Sequence, residues 1–120
     1  MYINSFKDLV VWQKSIELVK KVYSATSKLP KSEVYGLINQ MRRAAVAIPS
    51  NIAEGKKRST KKDFIHFLRI ADGSAAELET QIIISKSLFK KIDFDKCEAL
   101  LEEVQKMLTT MIKRLGETKS

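Results

Sequence analysis

The sequence predicts an all-α fold, an antiparallel up-down-up-down four-helix bundle, on three observations. Four stretches carry apolar residues at helical spacing, and three turn signals separate them. Only four Gly and two Pro occur in 120 residues, too few turn formers for a compact all-β chain. Hydrophobic residues make up 44% and charged residues 30%, the balance of a globular chain rather than a disordered one. At this length residues 1–120 make one domain. Short connections between long amphipathic helices set sequential neighbours antiparallel.

The first helix is expected over residues 7–28. Leu9, Trp12, Ile16, Val19 and Tyr23 recur at three and four and share one face, which Val11, Leu18 and Val22 widen. Ser5 with Asp8 three residues on resembles a capping box, and Leu29-Pro30-Lys31 breaks the helix. The second helix is expected over residues 33–57, with Ser32 as its N-cap. Val34, Leu37, Ile38, Met41, Ala44, Ala45, Ile48 and Ile52 form its apolar stripe. Pro49 lies inside it, removing a donor and crowding the Ala45 carbonyl, so a kink is expected there. Gly55 ends the stripe.

The third helix is expected over residues 61–90, capped by Ser59 or Thr60. Phe64, Phe67, Leu68, Ala71, Ala75, Leu78, Ile82, Ser85 and Phe89 hold the spacing. Asp72-Gly73 alone reads as a hairpin turn, but the helical period passes through it unbroken. The small run Gly73-Ser74-Ala75-Ala76 is expected to admit a neighbouring backbone. After a loop at residues 91–94, the fourth helix covers residues 95–115. It turns Cys97, Leu100, Leu101, Val104, Leu108, Met111 and Leu115 inward, and Gly116 ends it.

Composition narrows the function classes. A single cysteine, Cys97, forms no intramolecular disulfide and suits a reducing, cytoplasmic setting. The first seven residues lack a signal-peptide apolar run, no stretch is long and apolar enough to span a bilayer, and Lys119-Ser120 carries no lipidation signature. No membrane role is expected. The net charge is +8, unevenly spread: residues 1–60 hold 11 Lys/Arg against 4 Asp/Glu, residues 61–120 hold 11 against 10. An anionic partner near the basic part explains this, and so does a basic surface kept for solubility.

The catalytic inventory is thin, and no enzyme, cofactor or resident metal is expected. His66 is the one histidine and has no evident orienting partner. Cys97 has no companion cysteine and occupies a core position. Di-iron bundles need Glu-x-x-His on two helices, and the motif is absent. Glu54, Glu77 and Glu79 around a hard cation are a weaker reading than carboxylates facing Arg42, Arg43 or Arg69.

Two features remain. Residues 56–62 hold five cations, Lys56, Lys57, Arg58, Lys61 and Lys62, where one helix ends and the next begins. The preceding Gly55 gives the run the flavour of a phosphate loop, yet the upstream Gly and the strand of that motif are missing. A solvated loop is one reading. The other is a site where phosphate oxygens meet both charge and the free N–H groups of a helix start. The second feature is a polar and small-residue stripe, Gln40, Arg43, Ala47, Ser50 and Glu54, bordered by Asn51. It is either a second packing surface, against other subunits or a ligand, or plain exposed helix.

A resemblance joins these features. Residues 6–14, Phe-Lys-Asp-Leu-Val-Val-Trp-Gln-Lys, resemble the opening of the four-helix-bundle proteins encoded within intervening sequences of bacterial 23S ribosomal RNA genes. Tyr35-Gly36-Leu37 and the block from Gln40 through Arg42, Arg43, Pro49, Ser50 and Asn51 to Gly55 are similar too, as are Phe67-Leu68-Arg69-Ile70-Ala71 and residues 73–79. Ala47 stands where Ser is frequent in that family. The resemblance implies a five-fold ring of bundles. It also implies similarity to the accessory protein of diversity-generating retroelements, a basic pentamer that binds nucleic acid and partners a reverse transcriptase. It brings no catalytic residues.

The expectation is therefore a non-enzymatic oligomer, a pentamer by resemblance. It binds nucleic acid, RNA ahead of DNA, or scaffolds a nucleic-acid-processing enzyme. Arg42, Arg43, Lys56, Lys57, Arg58, Lys61 and Lys62 are the phosphate contacts. Gln40, Arg43, Ala47, Ser50, Asn51 and Glu54 form the subunit interface. The alternative is a protein–protein interaction module with incidental cations.

Overall fold

The computed structural model describes residues 5–117; the sequence readings at residues 1–4 and 119–120 fall outside it. Four long helices form: α1 (Val10–Thr26), α2 (Asn39–Lys57), α3 (Lys61–Leu88) and α4 (Asp95–Glu117). They pack as a bundle in which each helix lies on its sequence neighbours and α1 also lies on α4. Pairs that join opposite ends of the sequence elements set the direction. Arg42 at the start of α2 bonds Thr26 at the end of α1. Gly55 at the end of α2 faces Phe64 and Phe67 at the start of α3. Lys86 late in α3 pairs with Glu98 early in α4. Neighbours therefore run antiparallel.

The core fills as the stripes of α2, α3 and α4 predict. Met41, Ala45, Ile48 and Ile52 of α2, Leu68, Ala71, Ala75 and Leu78 of α3, and Val104 and Leu108 of α4 are fully buried. In α1 the phase differs. The buried residues are Val11, Ser15, Leu18, Val22, Ala25 and Thr26. Leu9, Trp12 and Val19 pack only at the margin of the core, and Tyr23 is exposed. The residues expected to widen the arc are thus its centre, about 100° round the helix from the expected one. Ser15 and Thr26 are tolerated inside because each hydroxyl donates to its own helix, to Trp12 O at 2.7 Å and Val22 O at 2.7 Å.

Helix ends also depart from expectation. Ser5 caps a single 3-10 turn, Phe6–Asp8, by accepting from the Lys7 N–H, and extended Leu9 separates that turn from α1. The segment before α2 is not regular helix. A 3-10 turn (Lys31–Glu33) leads into a wide turn (Val34–Ile38) broken at Gly36 (φ −109°, ψ −113°). The Glu33 carboxylate, not the Ser32 hydroxyl, caps this turn by accepting from the Leu37 N–H at 3.2 Å. Val34 is accordingly exposed. From Asn39 the helix runs unbroken through buried Pro49 to Lys57. The non-helical backbone in this stretch is at Gly36.

Close approach of helices occurs at Gly55. A Cβ there would lie 2.7 Å from Phe67 Cβ and 3.3 Å from the Phe64 carbonyl oxygen. Gly73, expected to serve this purpose, faces open space within the chain. At the other end, Phe94 in the connection before α4 is 1% exposed and plugs the bundle. No helix among the described residues is long and apolar enough to cross a membrane.

Candidate functional site

The basic run forms the tight turn between α2 and α3. Arg58 leaves α2 in extended conformation, and Thr60, also extended, caps α3 by accepting from the Asp63 N–H at 3.1 Å. Three residues separate the helices, and the missing side chain of Gly55 lets them meet. Two cations lie on aromatic faces of α3. The Lys56 ammonium is 5.8 Å from the Phe64 ring centroid, and the Arg58 guanidinium is 4.9 Å from that of Phe67. Arg58 also pairs with Glu54 at 3.2 Å. Lys57 and Lys62 are exposed. These interactions restrain Lys56 and Arg58 and so lower the ordering cost of binding an anion. One helix-start N–H goes to Thr60 and Asp63 places a carboxylate in the first turn, so the side chains, rather than the helix end, supply the attraction.

The seven cations singled out do not form one cluster. Arg42 and Arg43 sit near the start of α2, about 20 Å along the helix from Lys56 at 1.5 Å per residue. Arg42 is engaged inside the chain. Its Nε donates to Thr26 Oγ1 at 3.0 Å, its Nη2 to the Tyr23 carbonyl at 3.4 Å, and its guanidinium lies 4.3 Å from the Tyr23 ring centroid. It binds the end of α1, where the helix dipole favours a cation. Arg43 is exposed.

The polar stripe of α2 meets a matching stripe on α3. Gln40, Arg43 and Ala47 line an open groove of about 360 Å³ with Ser74, Glu77 and Gln81. The Oε1 atom of Gln81 is buried without a hydrogen-bond partner. Along the same side of α3 run Ile70, Gly73, Ile84 and Leu88, all exposed. Ser50 is exposed beside this groove's helix; Asn51 folds back to donate to the Ala47 carbonyl at 2.8 Å, and Glu54 is held by Arg58. Sequence alone marks Gly73 to Ala76 and Glu77 but does not join them to the α2 stripe as one face, and it misses Gln81, Ile84 and Leu88. The signal for the joined face is Gly73, a residue that weakens the middle of a helix without relieving any crowding inside the chain.

The remaining chemical candidates are dispersed. His66 is exposed and stacks edge-on against Phe67 at 5.4 Å. Burial, then Asp93 and Glu98, push the Cys97 thiol up to about 11, so it stays protonated and unreactive at neutral pH. Glu54, Glu77 and Glu79 are not brought together: Glu54 pairs with Arg58, Glu79 accepts from Gln105 at 3.0 Å, and Glu77 lies on the groove. Among the described residues no three His, Cys, Asp or Glu side chains gather to hold a metal ion.

Comparisons with known proteins agree with the bundle. The chain is similar to the crystal structure of a protein with unknown function from the S23 ribosomal protein family, from Bacteroides thetaiotaomicron. The two share 25% sequence identity and a TM-score of 0.74, over 87% of this chain and 99% of that one. Among curated proteins none matches this sequence. The model of the 23S rRNA-intervening sequence protein family matches residues 7–110, and the chain belongs to that family.

Proposed function

We propose that the chain is a non-enzymatic, cytoplasmic oligomer that binds nucleic acid, RNA in preference to DNA, through the basic turn between α2 and α3. The observation that carries this reading is the concentration of five cations on residues 56–62, with two of them held against Phe64 and Phe67. Such a turn engages phosphates and reads little sequence, because its aromatic rings are covered by its own cations. A basic surface that docks RNA also suits a scaffold for a nucleic-acid-processing enzyme.

Fluorescence anisotropy with structured RNA and duplex DNA over a salt series tests the reading. Binding weakens steeply with salt, and Lys57→Ala with Lys62→Ala lowers the salt slope by about two, roughly one for each phosphate no longer neutralised. Absence of binding at low salt with protein at tens of micromolar, about the weak end of non-specific affinity, would sink it.

The α2–α3 face supports the oligomer part of the proposal, and the family resemblance supports a ring of five. Exposed Ile70, Ile84 and Leu88, open Gly73 and unpartnered Gln81 Oε1 make an apolar-rimmed polar groove suited to a second copy. Light scattering decides between a nucleic-acid oligomer and a protein-interaction module. In the first case Ile84→Glu with Leu88→Glu disperses the assembly and weakens RNA binding together. Dispersal combined with RNA binding that is absent in both forms favours the module.

A further inference from the structure

At the end of the bundle away from the α2–α3 turn, the second half of α1 and the first turn of α4 enclose a cleft of about 180 Å³. Lys21 and Lys28 of α1 and its continuation, Lys96 of α4 and the Ser24 hydroxyl line its walls, with Cys97 at its floor. None of these three lysines forms an ion pair with a described carboxylate. The one carboxylate in the cleft is Asp93, and its Oδ1 is occupied, accepting from the Asp95 N–H at 2.8 Å. Three lysines against one carboxylate give the lining a net charge of +2 with a hydroxyl beside it; Glu98, the other carboxylate that acts on Cys97, is paired with Lys86. Like charges held in one concavity repel one another and are relieved by a compact dianion. The halves of the sequence conceal this cluster, because α1 and α4 lie at opposite ends of the chain and acidic residues elsewhere in α4 offset its lysines in any linear count.

We propose that this cleft binds a phosphate monoester dianion. Its size suits one phosphoryl group and the first atoms of its ester, not a duplex backbone. The site is separate from the basic turn, at the other end of a bundle whose long extent is 49 Å. The same chemistry is offered by the 5′-phosphate of a nucleic-acid strand and by a small phosphorylated molecule.

The test is an amide NMR titration of the full chain with inorganic phosphate near pH 8, where such groups are dianions (second pKa about 6 for phosphate esters). Shifts that saturate and centre on Ser24, Lys28, Lys96 and Cys97 are expected, with sodium chloride at matched ionic strength giving none. Lys28→Ala with Lys96→Ala weakens the apparent affinity about tenfold or more, the loss of charge-assisted hydrogen bonds, while Lys20→Ala with Lys113→Ala leaves it unchanged. Shifts that never saturate, that chloride reproduces, or that survive the Lys28/Lys96 substitutions overturn the site. Short RNA strands then identify the source. About tenfold tighter binding of the 5′-phosphorylated strand over its 5′-hydroxyl twin assigns a strand end. Equal binding beside a saturating phosphate titration assigns a small molecule. Inorganic phosphate involves no nucleic acid, so failure of the basic turn to bind RNA leaves this result standing.

Discussion

At one end of the bundle, α2 passes into α3 through three residues and the absent side chain of Gly55; at the other, six residues join α3 to α4 and the Phe94 ring fills the space. The first end is closed by subtraction, the second by addition. Their cations differ in the same sense. Around the tight turn, Lys56 and Arg58 lie on the rings of Phe64 and Phe67, so charge is laid along the turn on aromatic faces. Around the plugged end, Lys21, Lys28 and Lys96 surround a concavity with no ion pair among the described residues. A run of cations along a turn suits a long backbone, while a cationic cleft suits one compact group.

Four experiments break or sharpen this contrast. Phe94→Ala removes the plug and is expected to cost about 3–5 kcal/mol in urea unfolding, the range for a buried phenylalanine. A loss below about 1 kcal/mol would show that the connection collapses into the void and that the end is not closed by this ring. At the opposite end, Gly55→Val sets a β-carbon and two methyl groups against Phe67 and Phe64 and costs about 1–3 kcal/mol by overpacking. If it leaves unfolding unchanged, α2 and α3 are not locked by close approach.

Arg42 ties the plugged end together from the α2 side. A double-mutant cycle of Arg42→Ala with Thr26→Val is expected to give a coupling of about 1 kcal/mol, because each single change strands the other's partner. Independent effects would release Arg42 for other roles. The smallest effect belongs to the middle of the bundle. In dilute, dispersed protein, Gly73→Ala is expected to stabilise by about 0.5–1 kcal/mol, since a Cβ there meets nothing in the chain and helix propensity improves. Should it destabilise the assembled form instead, a second copy packs against that bare backbone.

Much of the fold is legible in the linear pattern. Most of the α2, α3 and α4 stripe residues are buried, with Val34 exposed and several aromatic and end positions half-buried, and Thr60, one of the two expected caps, caps α3. The α1 stripe misleads because both of its arcs are apolar. Val11, Leu18 and Val22 differ from Leu9, Trp12 and Val19 in which neighbours they meet, not in their chemistry. The cationic turn is equally legible, since it is local in sequence. The lysine cleft is not, since it is assembled from residues some seventy positions apart.

The sequence by itself determined the helices, their order and the local basic run, because periodicity, caps and turn residues act over a few positions. Tertiary structure alone decided which glycine lets helices touch, which of two adjacent arginines is free, and which lysines share a cleft. Gly55 and Gly73 are the same residue, as are Arg42 and Arg43. Only the surface that each one faces tells them apart: Phe67 against open space, and the end of α1 against solvent.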